Sequence, residues 1–144
     1  MKRVLLMTML LLPASCRESA PGDIPTIIFG RDVCARCGML VSEARFASGY
    51  VEAGGKSVLF DDLGELLAAA ARDPALSKAA FVPDVEDAKL VRAESAFFVR
   101  APSLATPMGT GVAAFKDRAR AEAFAKQRGA GDVLDWAAAT RLAP

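Results

Sequence analysis

The sulfur-bearing side chains are the residues of this chain best suited to chemistry. Beyond residue 25 there are four of them, and Cys34, Cys37 and Met39 fall within six positions of the sequence, whereas Met108 lies in its second half. Both methionines adjoin a glycine, although a methionine kept for packing is expected in the middle of a helix or strand. The chain has no histidine, so no imidazole can accompany these sulfurs. Thiols and thioethers in glycine-rich turns indicate a site for a soft metal ion.

Cys34-Ala-Arg-Cys37 is a C-x-x-C pair, for which several roles compete. Structural zinc needs four ligands, normally Cys and His. Here zinc would have to recruit carboxylates such as Asp61, and is therefore not favoured. A thiol–disulfide redox site places its pair at the start of a helix, but Gly38 and Met39 follow without a helix signal. A redox protein and a structural protein with a plain disulfide both stay open as alternatives, because exported thiols tend to oxidise.

Monovalent copper fits the sulfur set best. Cu(I) is a soft ion that prefers thiolate and thioether ligands, and the thioether is a poor ligand for zinc, calcium or magnesium. An exposed site of low coordination number allows ligand exchange with a partner, which suits a carrier. Catalysis has little support, because no Ser-His-Asp set is possible without histidine and no phosphate-binding glycine loop with its lysine is present. We therefore predict a Cu(I)-binding carrier that is not an enzyme.

The N-terminus predicts export. Residues 1–15 combine Lys2-Arg3, an apolar run over residues 4–12 and small residues at the end, which is typical of a secretory signal peptide. The apolar run is too short to span a bilayer. Cys16 follows directly, as in bacterial lipoproteins, so we predict a lipidated Cys16, a polar tether over residues 16–25 and a membrane-anchored protein facing the bacterial periplasm. Ordinary secretion with a free Cys16 is the alternative.

Charge and composition exclude several classes of protein. The full chain has a formal charge of +1, and removal of Lys2 and Arg3 with the signal peptide changes it to −1. A strongly basic nucleic-acid binder is therefore excluded. The hydrophobic fraction of 53% argues against disorder. A chain of this length can form one compact domain or two small units that share a core.

The order of predicted elements is the same in both halves: strand, strand, helix, strand. Over residues 26–85 the sequence predicts a strand at 26–29, a hairpin of strands 46–53 and 57–60, a helix from Asp62 to residue 71, and a strand at 80–83. Asp62 is its expected N-cap, with Glu65 completing a capping box. Capping by Asp62 is favoured over a role for Asp61 or Asp62 at the metal.

Residues 86–144 predict the second unit. Its strands are predicted at 96–100 and 111–115, and its helix at 118–127 follows Asp117. A last strand is predicted at 132–136. Residues 84–93 link this unit to the first. An offset of 55 residues brings identical residue types together, which indicates an internal duplication. Among the matched pairs are Gly54 and Gly109, Phe60 and Phe115, Asp62 and Asp117, and Ala68 and Ala123. The predicted fold class is α+β, with two sequential β-β-α-β units and small, mostly antiparallel sheets.

This arrangement sets a condition for the metal site. Met108 falls in the hairpin of the second unit, whereas the cysteines and Met39 lie at the start of the first. Thiolate and thioether can therefore meet only across the contact between the two units.

Three motifs together resemble a known family. They are Cys34-Ala-Arg-Cys37-Gly38-Met39, Phe60-Asp61-Asp62, and the run from Thr106-Pro107-Met108-Gly109 to Phe115. The chain is similar in these segments to the NosL-type accessory lipoproteins of nitrous oxide reductase, and the similarity extends from about residue 28 to residue 136.

The resemblance implies a lipid-anchored Cu(I) carrier that faces the periplasm and supplies copper to its client enzyme, nitrous oxide reductase. It also implies the ABC-type membrane machinery of that enzyme as a partner. By motif, Cys37, Met39 and Met108 are the implied copper ligands. Cys34 is either a fourth ligand or a spectator.

Overall fold

The structure is a computed structural model that describes residues 22–143. The predicted signal peptide at 1–15, Cys16 and most of the predicted tether lie outside the described residues. Within residues 22–143, no helix combines the length and the apolar character needed to cross a membrane.

Two antiparallel sheets and three α-helices form the described part of the chain. The first sheet contains β1 (Ser48–Val51), β2 (Ser57–Phe60), β3 (Phe81–Pro83) and β4 (Leu90–Arg92), in the order β2-β1-β3-β4. The second sheet pairs β5 (Phe97–Arg100) with β6 (Val112–Phe115). The helices are α1 (Leu63–Arg72), α2 (Arg118–Arg128) and α3 (Trp136–Arg141), and short 3-10 turns cover Pro74–Lys78 and Ala93–Ser95. The predicted α+β class is confirmed.

The pairing register of the first sheet recurs in the second. Ser48 faces Phe60 at one end of the β1–β2 hairpin, and Phe97 faces Phe115 at the equivalent end of β5–β6. One residue along, Gly49 pairs with Phe81 after α1, just as Phe98 pairs with Leu134 after α2. Each helix is therefore followed by a segment that returns to the same edge of its own hairpin.

Three predicted elements differ from the structure. Residues 26–29 form no strand, because the Ile28 carbonyl accepts hydrogen bonds from the Arg31 and Asp32 amides and turns the chain. The last predicted strand is a single bridge at Leu134, after which the Asp135 carboxylate caps α3 by accepting from the Ala138 amide at 2.7 Å. The expected link over residues 84–93 contains β4.

Helix α1 lies at the centre of the molecule. Seven of its ten residues are buried, and it contacts α3, β1, β2 and β6. Leu63 and Leu66 are fully enclosed in the larger hydrophobic core, together with Phe98 and Trp136, whose rings lie 5.9 Å apart. Burial of this much apolar surface fixes the start of α1 as a rigid platform.

Candidate metal centre

A tight turn carries the two cysteines. Val33 and Leu40 form a bridge across it, and inside that bridge the Cys34 amide donates to the Met39 carbonyl at 2.8 Å. Gly38 closes the turn at φ +75°, a left-handed conformation that glycine adopts without strain. The turn buries the Cys34 side chain and leaves Cys37 half-buried, with both thiols free.

Two carboxylates from the start of α1 meet these thiols. The Cys34 Sγ donates to the Glu65 Oε2 at 2.9 Å, and the Cys37 Sγ donates to the Asp61 Oδ1 at 3.5 Å. One donor atom from each of the four residues lies within 4.8 Å of all the others. Asp61 is 2% exposed and Glu65 is 6% exposed. We call this set, Cys34, Cys37, Asp61 and Glu65, the thiol–carboxylate cluster.

Burial favours the protonated forms of Cys34 and Glu65. It raises the pKa of the Cys34 thiol from 9.0 to about 12, and the hydrogen bond to Glu65 acts in the same direction. Burial also raises the pKa of Glu65, as do the neighbouring carboxyls of Asp61 and Asp62. A redox-active C-x-x-C pair needs a thiol with a lowered pKa at a helix start, and Cys34 has the opposite environment. The thiol–disulfide alternative is therefore disfavoured.

Asp62 ties the second unit to the first. Its Oδ2 accepts from the Thr106 hydroxyl at 2.6 Å and from the Met108 amide at 2.9 Å, and its Oδ1 accepts from the Thr110 hydroxyl. The same Oδ1 caps α1 by accepting from the Gly64 amide at 2.9 Å. One fully buried carboxylate thus holds residues 106–110 against the helix start, next to the thiol–carboxylate cluster.

Gly64 permits this close approach. A Cβ added at Gly64 would lie 2.5 Å from the Thr110 Cβ, a distance that real contacts do not allow. A glycine in the first turn of α1 is therefore what lets the loop of residues 106–110 lie directly on the helix.

Met108 reaches the same part of the molecule as the cysteines. It lines an open cleft together with Arg36, which lies inside the C-x-x-C pair, and with Glu65, which accepts from Cys34. Its side chain is 41% exposed. The structure thus brings the distant Met108 segment to the cysteine side of α1.

Met39 lies on the rim of this region. It follows Gly38 in the cysteine turn, its carbonyl is bound to the Cys34 amide, and its side chain is 46% exposed. Met39 does not line the cleft that contains Met108. The role of Met39 as a ligand stays a prediction, as do those of Met108, Cys37 and Cys34.

The predicted role of Glu65 in a capping box is wrong. Asp62 is the N-cap, as predicted, but the Glu65 carboxylate does not complete a capping box, because it turns to the Cys34 thiol. The sequence favoured helix capping over a role for Asp61 at the metal, whereas in the structure the Asp61 carboxyl accepts a hydrogen bond from the Cys37 thiol. The spacing carried a usable signal: Asp61 and Glu65 are four residues apart, and at a helix start this places both carboxyls on one side.

Comparison with known proteins agrees with this architecture. A family model for NosL matches residues 25–142, and the chain belongs to the NosL family. Among solved structures, the crystal structure of the copper chaperone NosL from Shewanella denitrificans superposes with a TM-score of 0.64 at 25% sequence identity. That match covers 80% of this chain and 93% of the other. A comparison with curated protein sequences returned no match.

Proposed function

We propose that this chain is a copper chaperone that carries one Cu(I) ion between partners. The thiols of Cys37 and Cys34 and the thioethers of Met39 and Met108 are its ligands, with Cys34 as the least essential of the four. Soft sulfur donors favour Cu(I) over the divalent ions that prefer nitrogen and oxygen.

The main support for this proposal is the set of hydrogen bonds by which Asp62 holds residues 106–110. A thioether segment from the second unit is bound through its own amide, Met108 N, to a carboxylate whose neighbour Asp61 accepts from Cys37. Packing alone does not require the amide of a half-exposed methionine to be held by a buried carboxyl group. A site that uses the Met108 thioether beside the cysteine turn accounts for this contact.

Exposure of the thioethers suits delivery of the ion. Met39 and Met108 are both more than 40% exposed, whereas Cys34 is 2% exposed. A partner can displace weak, exposed thioether ligands first and then compete for the half-buried Cys37 thiolate. This order favours transfer over storage.

The family points to a client. Membership of the NosL family and the copper chaperone among its relatives support a copper enzyme as the recipient, and we propose nitrous oxide reductase with its ABC-type assembly machinery. The predicted signal peptide and Cys16 add a periplasm-facing lipid anchor to this proposal. Transfer of copper from the loaded chain to copper-free nitrous oxide reductase, followed by the appearance of enzyme activity, tests the client.

Copper binding is tested by anaerobic titration of the reduced protein with Cu(I) in competition with a chromogenic Cu(I) chelator. We expect one ion per chain and a loss of affinity of about tenfold or more for Met108→Leu, which keeps the side-chain volume and removes the sulfur. Leu142→Ala, at another exposed apolar residue, is the control and should bind normally. Unchanged affinity in Met108→Leu would contradict a site shared by the two units.

A further inference from the structure

Three carboxylates are buried around the cysteines without a cationic partner. Among residues 22–143, no lysine or arginine forms an ion pair with Asp61, Asp62 or Glu65. Asp62 is satisfied by four donors. Asp61 and Glu65 instead direct their carboxyls at the two thiols. A buried carboxyl group in a protein is normally protonated, paired with a cation or bound to a metal ion.

The donor set of the thiol–carboxylate cluster differs in kind from a Cu(I) site. Cu(I) takes thiolate and thioether and gains little from carboxylate oxygen. Two thiolates and two carboxylates together suit a divalent ion of borderline softness. Sequence reasoning disfavoured zinc because two ligands were missing, and the structure supplies both of them from the start of α1.

The geometry of the cluster is close to that of a four-coordinate site. With zinc–sulfur bonds of about 2.3 Å and zinc–oxygen bonds of about 2.0 Å, a tetrahedron has edges of roughly 3.3 to 3.8 Å. The four donor atoms lie within 4.8 Å of one another, and the two hydrogen-bonded pairs are 2.9 and 3.5 Å apart. Side-chain rotations that change the separations of these atoms by about 1.5 Å at most, the difference between 4.8 Å and the shortest edge, would bring them to those of the tetrahedron.

We propose that Cys34, Cys37, Asp61 and Glu65 form a second metal-binding mode, for a divalent cation of tetrahedral preference such as Zn²⁺. Both modes use the thiol of Cys37, so one chain holds either the divalent ion in the buried cluster or Cu(I) among the exposed sulfurs. Arg36 lines the cleft beside Glu65 and offsets part of the negative charge of the four ligands.

Anaerobic titration of the reduced full chain with Co²⁺, a spectroscopic substitute for zinc, tests the proposal. A Cys16→Ser background leaves Cys34 and Cys37 as the only thiols. We expect one Co²⁺ per chain, with the intense visible bands of a tetrahedral ion and thiolate-to-cobalt charge transfer. Zn²⁺ and one equivalent of Cu(I) should each remove these bands. An octahedral spectrum, or no binding, would overturn the proposal.

Three variants separate the two binding modes. Glu65→Gln and Asp61→Asn should each weaken Co²⁺ binding about tenfold or more while Cu(I) affinity changes less than about threefold. Met108→Leu should do the reverse. Asp84→Asn is the matched control, because Asp84 is an equally buried carboxylate that accepts from the Lys116 and Glu86 amides, not from the thiols.

The outcomes distinguish this proposal from the copper-carrier proposal. If Glu65→Gln and Asp61→Asn leave Co²⁺ affinity unchanged in protein whose circular dichroism is native, the carboxylates are not ligands and the divalent mode is wrong, whatever the copper result. If they weaken Co²⁺ and Cu(I) equally, there is one mode and the proposal also fails. Loss of Cu(I) binding in Met108→Leu alone bears only on the copper carrier.

Discussion

Two hairpin–helix segments of the fold, β1–β2–α1 and β5–β6–α2, each have an aspartate just before the helix, but its contacts differ between them. Asp62 and Asp117 both follow the second strand of a hairpin and both cap a helix. Asp62 is fully buried and binds three groups of the loop at residues 106–110 in addition to its own helix. Asp117 is exposed and accepts from the Arg120 amide at 3.1 Å.

The difference follows from what covers each helix start. In the first unit the hairpin connection is short, residues 52–56, and α1 is covered by the long connection of the other unit, residues 101–111. The start of α2 is bordered by residues 84–87, where Asp84 accepts from the Lys116 amide and Glu86 pairs with Arg120. This contact leaves the first turn exposed, and of the eleven residues of α2 Ala121 and Ala125 are the buried ones. The two hairpin–helix segments thus supply two comparable helix starts, and the thiol–carboxylate cluster lies at the one that residues 101–111 cover.

Replacement of each capping aspartate by alanine gives the largest expected difference in the free energy of unfolding. Asp62→Ala leaves the donors of Gly64, Thr106, Met108 and Thr110 without their acceptor, and we expect the free energy of unfolding to fall by about 3–5 kcal/mol. Asp117→Ala removes an ordinary cap and should cost about 1 kcal/mol. Urea unfolding followed by circular dichroism measures both. Equal losses would show that the loop contacts of Asp62 add nothing to capping.

Substitution at the second residue of α1 and of α2 gives the next largest difference in the free energy of unfolding. Gly64 in α1 corresponds to Ala119 in α2 at the 55-residue offset. Gly64→Ala should destabilise the protein by about 1–3 kcal/mol, because its Cβ would clash with Thr110. In a helix without a covering loop, the same change from glycine to alanine stabilises by up to about 1 kcal/mol.

Ala119→Gly is the control for this experiment. It should destabilise by about 1 kcal/mol or less through helix propensity alone, and it should leave Cu(I) affinity unchanged. Chemical denaturation gives the sign directly. A stabilising effect of Gly64→Ala would mean that the loop of residues 106–110 does not rest on the helix.

Much of the fold could be predicted from local signals in the sequence. The glycine pair at 54–55, the aspartates before both helices and Gly129 after α2 are turn and cap residues, and these elements appear where they were expected. The errors lie at short apolar segments. Residues 26–29 have strand-forming side chains, but Asp32 Oδ2 binds the Ile28 amide at 2.7 Å and holds a turn instead.

The site was harder to predict because tertiary contacts decide it. Residue type alone points to Cys37, Met39 and Met108. The sequence requires that the cysteine segment and the Met108 segment meet, but it does not predict that they do. The four-residue spacing of Asp61 and Glu65 is a local hint, but it does not by itself distinguish a capping box from a contact with a thiol 31 residues away. Asp62 was assigned its cap correctly, but its three loop contacts depend on the packing of the second unit on the first.

The buried thiol of Cys34 predicts that stability falls at alkaline pH. Burial raises the pKa of Cys34 from 9.0 to about 12, so above pH 9 the unfolded chain loses this proton while the folded chain keeps it. Stability present below pH 9 is therefore lost as pH rises, by about 1 kcal/mol at pH 10. Unfolding of the reduced protein at pH 8 and pH 10 measures the loss.

Cys34→Ala separates this contribution from all others. Its stability is lower at both pH values, because a buried group is missing, but the difference between pH 8 and pH 10 should shrink by about 1 kcal/mol. The pKa of Tyr50, the one tyrosine of the sequence, is also raised by burial. Its contribution is present in both proteins, so the difference between them isolates Cys34. An unchanged difference would mean that Cys34 is not protonated in the folded state at high pH.

Charges on the exposed helix should matter least. In α2, Arg118 donates to Glu122 at 2.9 Å, with both side chains more than half exposed. Such a pair contributes only about 0.3–0.5 kcal/mol because water and salt screen it, so Glu122→Gln should lower stability by no more than this, and 1 M NaCl should abolish the difference. Cu(I) affinity should not change. A loss well above 1 kcal/mol would show that α2, like α1, carries a charge essential to the fold, and the contrast between the two units would no longer hold.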